Sequence, residues 1–424
     1  MKLTSLQLSA FNRPDSLLVI STYPDQKTTH TGGGLATYTK NSLLAIRKAD
    51  PLRKIIVLAN IIDEPETYLE KDILVIRCWE RSLLHFYFPL TKALLKFDQV
   101  KNVLLGFEFA AYGDLFTTGL LPLYLSVLKL AGKHLVTVVH QVVADLTDLA
   151  IHTGIDKNKH LNLYNRLLIT YFQWLGFASH KIVTLEANLA DRFNDIVSGH
   201  KAVAIPHGLY PKKALDKKSA QKRLNLNSHH LYVLCFGYLS HYKGSDLIVK
   251  AFKKPLLVGG KKVRLILAGG ENQTQGQKRH YQKFYKNLYK SIDNNPNIIH
   301  TGFVPDTRIK TFYSAADLVV FPYRTFMSAS GPLSLAIAYR KPFVVSTALS
   351  NYSPATFGLT SDSIRQTIKD TLSKKRTLGK LEKLSQVMAA ERNFNHQGAL
   401  YLSLFQSSIP SLSATPARTV LAGE

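Results

Sequence analysis

Gly32-Gly33-Gly34-Leu35-Ala36-Thr37-Tyr38 and Phe236-Gly237-Tyr238-Leu239-Ser240-His241-Tyr242-Lys243-Gly244 are the two stretches on which the fold turns. An apolar β-branched run leads into each, residues 17–22 and 231–236, and a helical pattern follows. Glycine lets backbone N–H groups approach an anion, and a helix N-terminus adds partial positive charge. One such turn means little, because short glycine motifs recur as plain turns. Two of them, about two hundred residues apart, predict two α/β domains facing each other across a nucleotide-sized cleft.

The rest of the chain fits that frame. Its 424 residues exceed the size at which one core usually stops growing. Short apolar runs at 17–22, 54–61, 72–79, 100–109, 135–140, 181–185 and 202–206 alternate with helical patterns such as 35–48 and 82–97. After a lysine-rich connector, 211–223, the alternation restarts with runs at 231–236, 263–268, 298–302, 318–322 and 343–347. Such alternation predicts parallel sheets covered by helices, two Rossmann-like domains in all. The expected boundaries are an N-terminal domain over 1–210, completed by a C-terminal helix at about 385–408, and a second domain over 211–384. Residues 409–424, rich in Ser, Pro, Ala and Thr, read as a disordered tail.

Composition narrows the chemistry. With 54 Lys and Arg against 29 Asp and Glu the formal net charge is +25, which asks for an anionic partner or reflects a solvated basic surface. Cys78 and Cys235 stand far apart in apolar contexts, so neither a disulfide framework nor metal spacing is present and a reducing compartment is expected. Met1 to Pro14 has neither the basic head nor the apolar core of a signal peptide, and no apolar run is long enough to span a bilayer; the expectation is a cytoplasmic protein. Asp145 and Asp148 do not form an Asp-x-Asp pair. Residues 83–97 and 120–130 are unusually apolar with Lys92, Lys96, Lys129 and Lys133 at their ends, the pattern of core helices or of helices lying on a bilayer. In residues 277–292, Tyr281, Phe284, Tyr285 and Leu288 fall at helical spacing beneath five basic side chains, which reads as an amphipathic helix packed on a sheet.

At this depth the chain resembles a GT-B-fold glycosyltransferase of the large family four (group 1), along nearly its whole length. Gly32 to Leu43 is similar to the family's N-terminal glycine loop and first helix, and Ala204-Ile205-Pro206-His207-Gly208-Leu209 to its turn into the second domain. Phe236-Gly237-Tyr238-Leu239 with Lys243-Gly244 resembles the opening of the donor domain. Leu265 to Gly270, His300 to Pro305, Tyr313 to Asp317, Phe321-Pro322-Tyr323, Ser330-Gly331-Pro332 and Lys341-Pro342 follow in the family's order. Gly106 to Asp114, then Val138-Val139-His140, resembles a subgroup with a Ser-Gly donor loop. The chain departs from the pattern where the family's Glu-x7-Glu positions fall at Met327 and Leu335, and where Tyr238 replaces a phosphate-binding arginine.

What the resemblance implies is metal-independent transfer of a hexose from a nucleotide-sugar to a lipid-linked or polysaccharide acceptor, with retention and with no cofactor beyond the donor substrate. Donor binding is expected from Gly33, Gly34, Gly237, Lys243, Glu271, Ser330 and Gly331. Lys243 would meet the diphosphate, while Ser330 and Gly331 would either offer N–H groups to it or simply cap a helix. His140 ends an apolar strand, where parallel sheets face a ligand crevice, and the resemblance puts it at the sugar. Glu108 is a carboxylate in the otherwise apolar run 104–111, costly unless paired or used. These two are the expected catalytic residues.

Two other classes compete. Met327 and Leu335 motivate a nonenzymatic sugar-nucleotide or glycan-binding relative, and charge alone motivates a nucleic-acid binder, which lacks every recognised module. A nicotinamide enzyme fails because Gly32-Gly33-Gly34 is not Gly-x-Gly-x-x-Gly. The charge also predicts peripheral docking on an anionic membrane.

Overall fold

The computed structural model describes residues 5–26, 33–81, 84–149, 160–197, 199–272 and 276–405. Gly32 and the segment 409–424 lie outside the described residues.

Two sheets carry the architecture. The first holds β1 (Leu17–Ile20), β2 (Ile55–Asn60), β3 (Thr67–Glu70), β4 (Ile73–Trp79), β5 (Asn102–Phe107), β6 (His134–Val139), β7 (Lys181–Thr184) and β8 (Ala202–Ala204), in the order β3-β4-β2-β1-β5-β6-β7-β8. All neighbours are parallel except the β3–β4 pair. β1 and β2 are buried at every residue, the continuous apolar signature of a strand covered on both faces. The second sheet holds β9 (Leu231–Phe236), β10 (Leu256–Val258), β11 (Lys261–Ala268), β12 (Ile298–His300), β13 (Leu318–Phe321), β14 (Phe343–Ser346) and β15 (Thr356–Phe357). Its order is β10-β11-β9-β13-β14-β15, with β12 also on β11. In both sheets the chain runs outward one way and then returns to the other side of the first strand, so strand order reverses between β1 and β5 and between β9 and β13. Ligand crevices open outside the carboxyl ends of strands at such reversals. Here the two reversal points face one another across a cleft, the α/β arrangement predicted from the two glycine turns.

Strands β3, β10 and β15 are absent from the sequence reading. They are two to four residues long; Thr67–Glu70 alternates exposed with half-buried, and the apolar Leu256–Val258 stops after three residues.

The helix Arg279–Ile292 buries Tyr281, Tyr285, Leu288 and Ile292 against the second sheet, as the aromatic stripe predicts. The helices Tyr87–Leu95 and Leu115–Leu130 behave differently. Each buries one apolar face (Leu90 and Leu94; Leu121, Leu125 and Leu128) and leaves another apolar face exposed. A third helix, Leu161–Ala178, does the same and was not singled out from sequence.

After residue 391 the chain crosses to the first sheet's side. Helix Phe394–Ser403 packs on helix Gly33–Ala49, where Gly398 sits so close that a Cβ would collide with the Ala45 carbonyl. The Tyr38 and Tyr401 hydroxyls hydrogen-bond at 2.8 Å. At the crossing, Arg392 donates two parallel bonds to Glu186, 2.6 and 2.8 Å, and its guanidinium lies 5.0 Å from the centre of the Tyr352 ring. Glu186 follows β7 and Tyr352 follows β14, so this buried pair ties both sheets to the returning chain.

Removing one partner of a buried ion pair leaves an uncompensated charge. Arg392→Ala should therefore cost about 3–5 kcal/mol in a urea titration, and Arg392→Lys should recover only part, since an ammonium cannot reproduce the bidentate fork.

Candidate active site

A cavity of about 570 Å³ lies between the sheets, and Gly34, Gly237, Lys243 and Gly331 all line it. Gly33, the first residue of helix Gly33–Ala49, adjoins Gly34 at its edge. Residues brought together from both glycine turns thus share one wall-to-wall space.

Lys243 is fixed by its own loop. Gly244 has φ 71°, and a Cβ there would run into the Pro322 carbonyl, so only glycine turns the chain this tightly. Arg324 clamps the same loop: its guanidinium donates to both carboxylate oxygens of Asp246 at 2.8 and 2.7 Å, and its backbone N–H to the Tyr242 carbonyl at 2.7 Å. Burial pushes the Asp246 carboxyl up, but the Arg324 bonds and charge outweigh it and hold it below the usual range. Held in this way, Lys243 Nζ lies 3.5 Å from where a Gly237 Cβ would stand, and 5.7 Å from the Tyr242 ring centre. Among the described residues it forms no ion pair, and its charge faces the cavity uncompensated. Sequence reading missed Arg324, an arginine after Pro322-Tyr323 whose role depends on a residue 78 positions earlier.

The helix Gly331–Ala338 points its N-terminus at the same space. Ser330 Oγ accepts from the Leu333 N–H at 3.3 Å and shares a 2.8 Å bond with the Tyr323 hydroxyl, so the serine side chain is a cap. Ser334 N–H donates to the Ser330 carbonyl and Pro332 has no N–H. Of the donors in the first turn, the Gly331 N–H alone remains for a ligand. Ser330, Lys243 and Met327 also line an adjoining recess of about 60 Å³, and Leu335 lines the main cavity.

Glu108 and His140 occupy different surroundings. Glu108 is half-buried; burial pushes its carboxyl up, Arg81 opposes that, and Gln141 Nε2 lies 3.5 Å from Oε1. Burial first and then the Glu108 charge push the Tyr242 hydroxyl up, so Glu108 is within electrostatic range of the residue next to Lys243. His140 is buried and does not line this cavity. Its ring meets Tyr38 edge-on at 4.9 Å, and it lines a separate void of about 20 Å³ with Ser21, Thr39, Ser42 and Tyr401. Burial, then the nearby His207, push its imidazole down to about 3, and Nε2 is buried without a partner. His207, whose ring lies 5.1 Å from the same Tyr38 ring, is the histidine that lines the cavity. Glu271 is exposed, lies outside the cavity wall and bonds to Tyr289.

The loop 325–330 is clasped by the opposite domain. Arg192 Nη1 donates to the Val142 carbonyl at 2.8 Å and the Phe326 carbonyl at 2.7 Å, while Val142 N–H donates to the Met327 carbonyl at 3.0 Å. Gln141 and Ser328 form an antiparallel bridge beside them. Nothing in Asp191-Arg192 signals this from sequence, because the partners are main-chain atoms. Among the described residues, no group of three or more His, Cys, Asp or Glu has metal-binding geometry.

Comparison with solved structures decides the architecture. Sucrose-phosphate synthase from Thermosynechococcus elongatus superposes with a TM-score of 0.70 at 14% identity, covering 93% of this chain and 100% of that one. The fold is GT-B. HepE from Anabaena, solved in complex with UDP, matches with a TM-score of 0.63 at 15% identity over 92% of this chain and 99% of its own. WaaG, a glycosyltransferase involved in lipopolysaccharide biosynthesis, gives 0.61 at 12% identity over 92% and 100%. Residues 216–353 match the family model for glycosyl transferases group 1, a segment that includes Lys243, Met327, Ser330, Gly331 and Leu335. No curated protein matches the sequence.

The unfolded chain takes up a proton on histidine near pH ~6.5. Folded His140 does not, so it withdraws stability as the pH falls from about 6.5 towards 3. Its ring carbons should show no titration in NMR spectra between about pH 5 and 8; a midpoint near the free value would place the ring in solvent. Ser330→Ala, which deletes the cap, should cost about 1 kcal/mol in a chemical melt.

Proposed function

We propose that the protein is a glycosyltransferase that moves a hexose from a nucleotide-sugar diphosphate to a glycan acceptor, lipid-linked or polysaccharide, with retention of configuration. The observation that carries this is the uncompensated Lys243 charge facing the Gly331 N–H and Gly34 across one cavity. As the glycosidic bond to the diphosphate breaks, negative charge builds on the leaving phosphate, and fixed donors that strengthen with it lower the barrier. Lys243 supplies the charge and Gly331 the backbone donor, with Gly33 and Gly34 closing the pocket from the other domain. In this reading residues 211–384 hold the donor, and 1–210 with the C-terminal helix at about 385–408 hold the acceptor. Glu108 orients a sugar hydroxyl, and His140, kept neutral by burial, supports the sugar region from beneath through Tyr38 and His207. The Ser-Gly loop sets the subgroup, Glu271 stands at the donor rim, and no metal is required. The group 1 match over 216–353, and relatives solved with UDP, support the donor class. We place the protein in the cytoplasm, at the membrane face.

A second reading, a binder without turnover, is favoured by one observation. Leu335 lines the cavity where the family pattern puts the second glutamate, and Met327 lines the recess where it puts the first.

Titration calorimetry with a panel of nucleoside diphosphates and nucleotide-sugars, followed by product analysis, separates the two. Transfer to a glycan marks the enzyme, binding without product marks the second reading, and binding of nothing in the panel defeats both. Lys243→Ala should weaken nucleoside-diphosphate binding by roughly ten- to a hundredfold, the range of a lost charge-assisted bond; unchanged affinity in the folded variant would make Lys243 a surface residue. His140→Ala should lower kcat more than it weakens donor affinity, and full turnover in that variant would remove the histidine from the reaction.

A further inference from the structure

Among the described residues 22 large apolar side chains are exposed, and 14 of them fall between Leu84 and Phe177. They form stripes rather than scattered sites. Phe116, Leu120, Leu123, Val127 and Leu130 run down one side of helix Leu115–Leu130 at three- and four-residue spacing. Leu163, Leu167, Trp174 and Phe177 do the same on Leu161–Ala178, and Phe88 and Leu95 on Tyr87–Leu95. The helices are stitched side by side: the Tyr171 hydroxyl donates to the Thr118 carbonyl at 3.0 Å, Trp174 Nε1 to Ser126 Oγ at 3.2 Å, and Thr91 bonds Tyr124 at 3.0 Å. The stripes therefore make one continuous face, of a kind monomeric soluble proteins rarely leave open.

Charge says what covers it. None of the three helices contains a single Asp or Glu, while Lys92, Lys96 and Arg166 stand exposed on and beside them. An apolar face rimmed by cations, with no carboxylate along its helices and with Asp114 taken up as the cap of one of them, complements anionic headgroups over acyl chains. No described helix is long and apolar enough to cross a membrane, so the geometry is that of a surface lying on the bilayer.

The face also leads inward. At its edge a groove of about 450 Å³ is lined by Phe109, Gly113, Asp114, Leu115, Phe116 and Thr118. Phe109 is the residue next to Glu108, which follows strand β5 at its carboxyl end. We infer that this three-helix face docks on an anionic bilayer, and that the groove admits the apolar anchor of a lipid-linked acceptor towards Glu108. The choice of a lipid-linked over a polymeric acceptor rests on the glycosyl-transfer reading; the docking surface does not.

The full chain is floated through a density gradient with vesicles of phosphatidylglycerol and phosphatidylcholine, or of phosphatidylcholine alone. The bound fraction should be about tenfold or more higher with the anionic lipid and should fall with salt. Leu120→Glu with Val127→Glu, both at exposed positions, should abolish flotation while nucleotide affinity by calorimetry stays the same. Trp174 is an internal reporter, because the other tryptophan, Trp79, is fully buried. Its emission should shift to the blue on anionic vesicles, and Trp174→Phe should lose the shift but still float. For the groove, octyl glucoside below its micelle threshold should bind, glucose should not, and Phe116→Asp should weaken that binding about tenfold. Equal binding by the variant would overturn the groove assignment. A wild-type protein that stays at the bottom with anionic vesicles overturns the docking surface. So does a self-associated wild type that ignores vesicles and is dissolved by the double glutamate variant, which would make this face a contact between copies of the chain. Vesicle binding without nucleotide binding would instead sink the proposed activity and leave the surface standing.

Discussion

Everything at the cleft follows from one topological constraint, the reversal of strand order at the middle of each parallel sheet. At β1 and β5, and again at β9 and β13, the connections leave on opposite faces and open a gap at the carboxyl ends. A gap in one sheet would be a shallow crevice. Two gaps facing each other enclose a cavity with walls from both glycine turns. Chain order then dictates which chemistry arrives: a helix N-terminus from one side, and a cationic loop with a second helix N-terminus from the other.

The constraint sets positions, and local interactions set precision. The Lys243 loop is held by a backbone crossing that only Gly244 permits and by the fork of Arg324 on Asp246. An ammonium on a four-carbon stem is otherwise a mobile point charge. Confining its loop limits the entropy that binding an anion there would cost, and in the proposed reading this lets one cation serve where Tyr238 stands in place of a second.

The fold was legible because its signals are periodic and local. Continuous apolar runs betray parallel strands buried on both faces, and glycines betray the turns after β1 and β9. The short strands β3, β10 and β15 were not legible, since two to four residues carry no period to read; β8 and β12, equally short, were read because they sit in the runs 202–206 and 298–302. At the site, Gly34, Gly237, Lys243 and Gly331 were readable as loop chemistry and share the cavity. Burial was not readable: nothing in Val138-Val139-His140 tells that the ring lines a separate small void, while His207 lines the main cavity. Ser330 was ambiguous in sequence between cap and ligand, and the Tyr323 and Leu333 partners settle its oxygen as a cap. Arg192 and Arg324 escaped because what they hold is distant in sequence or is main chain.

The clasp made by Arg192 has a further consequence. It grips the carbonyls of Val142 and Phe326, and Val142 in turn donates to the carbonyl of Met327. Apart from the guanidinium, that handshake uses main-chain atoms alone, and at position 327 it uses only the carbonyl that every amino acid carries. The side chain at 327 can therefore be exchanged over generations without loosening the seam between the domains. Mechanical integrity and chemical selectivity are written in separate alphabets here, and a lineage can revise the side chain at the recess while the seam between the domains stays as it is.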